Sequence, residues 1–196
     1  MNVLIACEFS GIVRDAFIKK GHNAFSCDLL DTELPGPHFK DDVLNHLQDG
    51  FDLMIAHPPC TYHCNSGVCW LHKKPGRWLE LEKSILFFKK LLSCNIPKIC
   101  IENPIPHKYS KREIGNYSQI IQPYEFGHLE RKSTCLWLKN LPKLQETNNV
   151  YNEMKKLPKN ISQRIHYLPP QKDRWKKRSI TFQGIADAMA EQWGSL

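Results

Sequence analysis

Asn2-Val3-Leu4-Ile5-Ala6 runs into Cys7-Glu8-Phe9-Ser10-Gly11, and the stretch Gly11–Lys20 that follows carries Val13, Phe17 and Ile18 as far as Gly21. The apolar run has the length of a buried strand. The next segment has the spacing of one helical face, and Gly21 supplies its stop. Asn23–Asp28 reads as a second strand ending on an acid. Outward from this unit the alternation continues. Leu53–Ala56 is a short apolar strand bounded by Asp52 and by His57-Pro58-Pro59. Trp78–Leu92 places Trp78, Leu81, Ile85, Phe88 and Leu92 on one helical face. Lys98–Ile101 is a further strand, closed by Glu102-Asn103-Pro104, and Ser118–Phe126 and Thr134–Leu138 are β-like. Ile180–Trp193 aligns Phe182, Ile185, Met189 and Trp193 in a stripe flanked by Ala186 and Ala190. The pattern predicts a doubly wound, mostly parallel α/β sheet. In such sheets ligands bind beyond the carboxyl ends of the strands. Chemistry is therefore expected at Cys7–Gly11, Asp28, His57–Gly67 and Glu102–Asn103.

Length and composition agree with this reading. A chain of 196 residues, 41% hydrophobic and 24% charged, fits one domain over residues 1–196. The amino-terminal residues have neither a basic leader nor a long apolar stretch, and no run is long enough to cross a bilayer, so secretion and membrane anchorage are not expected. Of eight cysteines, Cys7, Cys27, Cys100 and Cys135 lie in apolar runs, where the free thiol behaves as a small hydrophobe. A reduced, cytoplasmic protein is the expectation. The net charge of +7 is concentrated: Lys139–Arg178 holds eleven Lys and Arg against three acids. This basic insertion has turn formers and Pro169-Pro170 but little periodicity. A polyanion is its natural partner, with a merely solvated loop as the alternative.

Each strand end carries something chemical. Gly11 allows close backbone approach, and the helix that begins there offers free N–H groups. Asp28 stands where α/β nucleotide sites place a carboxylate for ribose hydroxyls. Asp41-Asp42-Val43 repeats an acid followed by an apolar residue. In His57-Pro58-Pro59-Cys60-Thr61-Tyr62-His63-Cys64-Asn65-Ser66-Gly67 two prolines fix the backbone and present Cys60 in a set direction. Three readings are open for that cysteine: a nucleophile activated by positive charge, packing, or one ligand of a metal held with Cys64, Cys69 and His72. Burial of Glu102 at a strand end is expected to raise its pKa and suit it to share a proton with a ring nitrogen.

Phe-Ser-Gly, Pro-Pro-Cys, Glu-Asn and a Gln-Gly that opens the terminal helix occur here in that order, and together they resemble the DNA (cytosine-5)-methyltransferase family. The resemblance covers residues 1–138 and 178–196, with Pro58–Gly67 matching the family's nucleophile loop and Cys64 standing where Ser is usual. It implies a Rossmann-like S-adenosylmethionine-dependent methyltransferase fold, with S-adenosyl-L-methionine as cofactor and DNA, duplex or single-stranded, as partner. By that correspondence Phe9, Ser10 and Gly11 line the cofactor pocket, Asp28 holds the ribose, Asp42 and Val43 flank the adenine, and Pro59 joins this wall. Cys60 attacks carbon 6 of a flipped cytosine, Glu102 contacts ring nitrogen 3, and Asn103 supports the loop.

Three departures stand out. Ile12-Val13-Arg14 replaces further glycines. Glu130-Arg131-Lys132-Ser133-Thr134 lacks the second arginine of a Gln-Arg-x-Arg block, leaving Lys132 or Arg131 to compensate. Only residues 139–178 stand where a target-recognition domain is usual. Lys172, Arg174, Lys176, Lys177 and Arg178 are expected to contact phosphates outside the crevice, with Trp175 stacking on a base or anchoring the loop. The alternatives are a catalytically silent nucleic-acid-binding or inhibitory protein of the same fold, and a pyrimidine-modifying enzyme acting on nucleotides or RNA. Small size and the short recognition region suit a protein of a phage or mobile element, working in a bacterial or phage-infected cell.

Overall fold

A computed structural model of the chain describes residues 1–196. Seven strands form one sheet: β1 (Asn2–Ala6), β2 (Asn23–Asp28), β3 (His38–Lys40), β4 (Leu53–Ala56), β5 (Lys98–Pro104), β6 (Gln119–Ile121) and β7 (Thr134–Lys139). Their order is β3-β2-β1-β4-β5-β7-β6. Strands β1 to β5 are parallel, and β7 runs antiparallel between β5 and β6. The central register sets Val3 opposite both Ala24 and Leu53, and Leu53 opposite Lys98.

Alternation along the strands divides the core in two. Val3 and Ile5 of β1 face one apolar cluster, with Val13 and Phe17 of α1 (Ile12–Lys19) and Ile185, Met189 and Trp193 of α8 (Gln183–Gly194). Leu4 and Ala6 face the other, with Leu81, Ile85 and Phe88 of α2 (Arg77–Ser93) and Ile114 of α3 (Lys108–Ile114). Phe17, Phe88 and Trp193 are fully buried, and each such side chain contributes about 1.5–3 kcal/mol through area removed from water.

Three segments differ from their sequence reading. Only Gln119–Ile121 of Ser118–Phe126 is strand, because Pro123 starts a tight turn closed by reciprocal Gln122 and Glu125 hydrogen bonds. Strand β5 runs beyond Ile101 to Pro104, because β7 pairs with it as far as Pro104 opposite Thr134. Residues 139–178 are not weakly structured. They hold four short helices, α4 (Tyr151–Met154), α5 (Lys159–Ser162), α6 (Arg164–Tyr167) and α7 (Arg174–Ser179), anchored by buried Leu144, Met154 and Ile165. A helix of four to six residues is too short for a 3.6-residue period to show.

Candidate active site

The turn from β1 into α1 is built on left-handed backbone at Cys7 (φ 57°) and Gly11 (φ 78°). Between them the buried Glu8 carboxylate accepts hydrogen bonds from the N–H groups of Val13 (2.8 Å) and Arg14 (3.2 Å) and from Ser10 Oγ (3.0 Å). The amino terminus of α1 therefore does not offer its N–H groups to a ligand, contrary to the expectation from sequence. Glu8 already caps them. This matters for ligand class, since phosphate-bearing nucleotides use that terminus. Asp28, at the carboxyl end of β2, accepts from the Leu30 N–H at 2.9 Å, and burial holds its carboxyl above the ordinary range. Asp42 caps the turn beginning at buried Val43 through the Leu44 N–H. The wall at these strand ends is acidic.

Pro58-Pro59-Cys60 follows β4, and the loop is held from several sides. Asn103 Nδ2 donates to Pro58 O at 3.0 Å. The His63 and Cys64 N–H groups both return to Cys60 O. Gly67 fits because an added Cβ would stand 2.7 Å from Thr61 O. Arg77 stacks on Tyr62 at 4.2 Å and donates to Thr61 O. Below the loop, buried His63 lies between Ser110 Oγ (2.6 Å) and Ser84 Oγ (2.7 Å), and His107 Nε2 meets Tyr62 O.

The Cys60 and Cys64 thiols act on each other, and the anion is favoured on Cys64. Cys60, with the Ser66 hydroxyl and the Ser66 and Gly67 amides, draws Cys64 down to about 5. Cys64 and burial push Cys60 up, while the charges of Lys132 and Arg178 oppose that rise. Cys69 and His72 do not join the pair: Cys69 is exposed, and His72 packs edge-on against Trp78 and Tyr109.

Glu102 sits one strand over with its side chain 11% exposed, and Oε2 lies 3.0 Å from His57 Nδ1. Thr181 Oγ1 donates to the same oxygen at 3.3 Å. Burial alone would raise this carboxyl, as read from sequence. The His57 contact, Lys132 and Thr181 outweigh it and hold Glu102 below the usual carboxylate range. Burial likewise opposes charge on His57, but Glu102 lifts its pKa above the ordinary value. The His immediately before Pro-Pro was the available signal for this contact, and sequence reasoning passed over it.

The basic segment does not lie outside the crevice. Trp175 of α7 packs edge-on against Phe9 at 5.9 Å, and Lys176 reaches over the same ring and toward Glu33. Arg178 faces Cys60, and Ser179, Ile180 and Thr181 line one cavity with Cys7, Glu8, Phe9, Ser10 and His57. Arg174, Lys176 and Arg178 are half-buried, whereas Lys172, Lys177 and Trp175 are exposed. Lys132 also faces the crevice, with its charge acting on His57, Cys60 and Glu102.

With this strand order and a single antiparallel strand, the architecture is a Rossmann-like, mostly parallel α/β fold. Among solved structures, one similar to this chain is described as a DNA modification methyltransferase encoded within an E. coli prophage, with 13% identity and a TM-score of 0.48. Two others are the Entamoeba histolytica methyltransferase EhMeth (14%, 0.49) and the S. pombe Dnmt2 methyltransferase (16%, 0.43). The matches cover 81%, 76% and 100% of this chain but only 55%, 57% and 66% of those chains. No family model and no curated protein matches the chain by sequence.

Proposed function

We propose that the protein transfers a methyl group from S-adenosyl-L-methionine to carbon 5 of cytosine in DNA through a covalent Cys60 adduct. The observation that carries the reading is the convergence of Cys60, Glu102, Asn103 and Lys132 at the carboxyl ends of β4 and β5, beside an acidic cofactor wall. Glu8, Asp28 and Asp42 suit the ammonium and sulfonium charges of that cofactor. The capped α1 terminus disfavours a phosphate-bearing one. Asp28 would hold the ribose hydroxyls, Val43 and Asp42 would flank the adenine, and Phe9, Ser10, Gly11 and Pro59 would close the pocket. The bound cofactor supplies an electrophilic methyl group. Asn103 and the two prolines fix the nucleophile loop, Lys132 and Arg178 favour a charge on Cys60 against the opposing influence of Cys64, and Glu102 would face the ring nitrogen. Exposed Lys172 and Lys177, with Trp175, give the nucleic acid a basic edge.

Intact-mass analysis with DNA containing 5-fluorocytosine and the cofactor tests this directly. A protein–DNA adduct is expected for the wild type and none for Cys60→Ser. Tight cofactor and DNA binding without an adduct would instead support the silent binding protein, which the packing of Trp175 on Phe9 favours. For the cofactor, Asp28→Ala is expected to weaken binding by about 1.5–3 kcal/mol, the loss of a charge-assisted hydrogen bond. Calorimetry checks it, and unchanged affinity would remove Asp28 from the site.

A further inference from the structure

His57 is the last residue before Pro58-Pro59, and its backbone N–H is bound to Ala6 O at 2.9 Å. Its side chain is 11% exposed, with Nδ1 fixed on Glu102 and Nε2 buried without any hydrogen-bond partner. An imidazole whose Nδ1–H is committed to a carboxylate carries its lone pair on Nε2 and gains basicity there. His57, three residues ahead of Cys60, lines the cavity bounded by Glu8, Phe9, Ser10, Ser179 and Thr181, on the side of the proposed cofactor wall. A buried ring nitrogen left unpaired on such a wall calls for an explanation, because desolvation of a polar atom is costly.

We propose that His57 is the general base that removes the proton from carbon 5 of the methylated cytosine adduct, with Glu102 as its orienting carboxylate. The inference rests on the cytosine-5 reading above. In the adduct Cys60 Sγ is bonded to carbon 6, and carbon 5 bears both the transferred methyl group and its original hydrogen. His57 Nε2 takes that hydrogen as a proton. The C5–H electron pair becomes the C5=C6 double bond, the C6–Sγ bond breaks, and its pair leaves on the Cys60 thiolate. The imidazolium is balanced by Glu102 and returns its proton to water once the product leaves. One proton is thereby released for each methyl group transferred. The charged groups facing the ring are Glu102 from β5, Glu8 from the β1–α1 turn and Lys132 ahead of β7, the first two favouring the imidazolium and the third opposing it.

The test compares the wild type with His57→Asn, whose amide nitrogen replaces Nδ1 toward Glu102 while Nε2 is lost. Both are mixed with S-adenosyl-L-methionine and with either ordinary or 5-fluorocytosine DNA, then read by intact mass. On 5-fluorocytosine DNA both proteins should form the adduct, since fluorine cannot leave as a proton. On ordinary DNA only His57→Asn should accumulate an adduct, at the mass of enzyme plus methylated DNA, with turnover reduced about 10²–10⁴-fold. Trapping of 5-fluorocytosine with no accumulation on ordinary DNA, or with wild-type turnover, would overturn the role of His57 and leave the methylation reading standing. Trapping by neither protein would overturn both. Should His57→Asn fail to fold by circular dichroism, His57→Gln serves in the same comparison.

Discussion

Replacing Arg14 with methionine is expected to cost about 3–5 kcal/mol of folding stability, among the larger effects available to one residue. The guanidinium is fully buried although its chain position lies on a helix. Nε pairs with Asp15 at 2.8 Å, Nη1 donates to Ser26 Oγ and Thr32 Oγ1, and Nη2 donates to the carbonyls of Leu34 and Pro35. Gly11 and Gly36 leave room for it, since an added Cβ would stand 2.6 Å and 2.7 Å from the guanidinium. Methionine would fill the volume but leave Pro35 O without a donor and take one partner each from Ser26, Thr32 and Leu34. For a chain of this size the melting temperature should fall by roughly 10 °C. Thermal denaturation followed by circular dichroism measures it, and a shift under about 2 °C would show that the loop from Leu29 to Pro37 does not depend on this cation.

The second expectation concerns acid. Burial, reinforced by the charge of His107, lowers the pKa of His63 to about 4, so the folded protein refuses a proton that the unfolded chain accepts. The sign follows from linkage. Stability is fully present above the ordinary histidine pKa and is lost as pH falls from about 6.5 toward 4, by roughly 3 kcal/mol. His22, His128 and His166 are lowered too and add to the slope, while His57 is raised and opposes it. Urea midpoints of the wild type and His63→Gln at pH 7 and pH 4.5 isolate the one residue. The variant should be less stable at pH 7 yet lose clearly less on acidification. Equal losses would mean that His63 is not the group responsible. Because Ser84 and Ser110 hold the Cys60 loop through this ring, the same acidification loosens the nucleophile.

The elements read correctly from sequence are those whose burial is written in a run of apolar residues. Val3–Ala6, Leu53–Ala56 and the stripe Ile185, Met189, Trp193 admit one pairing with the core, and they place the strand ends where Cys60, Glu102 and Asp28 stand. What was hidden depends on partners distant in the chain. Strand β3 is three residues long, and pairing with β2, Phe39 stacking on Phe25 and Ser26 meeting His38 Nδ1 at 2.8 Å hold it in place. Helix α3 is capped by His107, whose ring nitrogen accepts from the Ser110 N–H, a role that residue type does not announce. Glu8 and Arg14 are charged, so their burial could not be inferred before the groups that satisfy them were known. Glu102 was located but its protonation was misjudged, because the deciding neighbour, His57, comes from another strand.

The packing of α8 against α1 bears on how the chain reaches this state during synthesis. Val3, Ile5, Leu53 and Ile55 are covered on that face by α1 and by Ile185, Met189 and Trp193. The other face can close once α2 and α3 have emerged, but this one cannot be sealed until the segment carrying α8 has left the ribosome. Until that segment emerges, one face of a hydrophobic sheet therefore lies open to other nascent chains, and the arrival of α8 sets the moment at which that exposure ends.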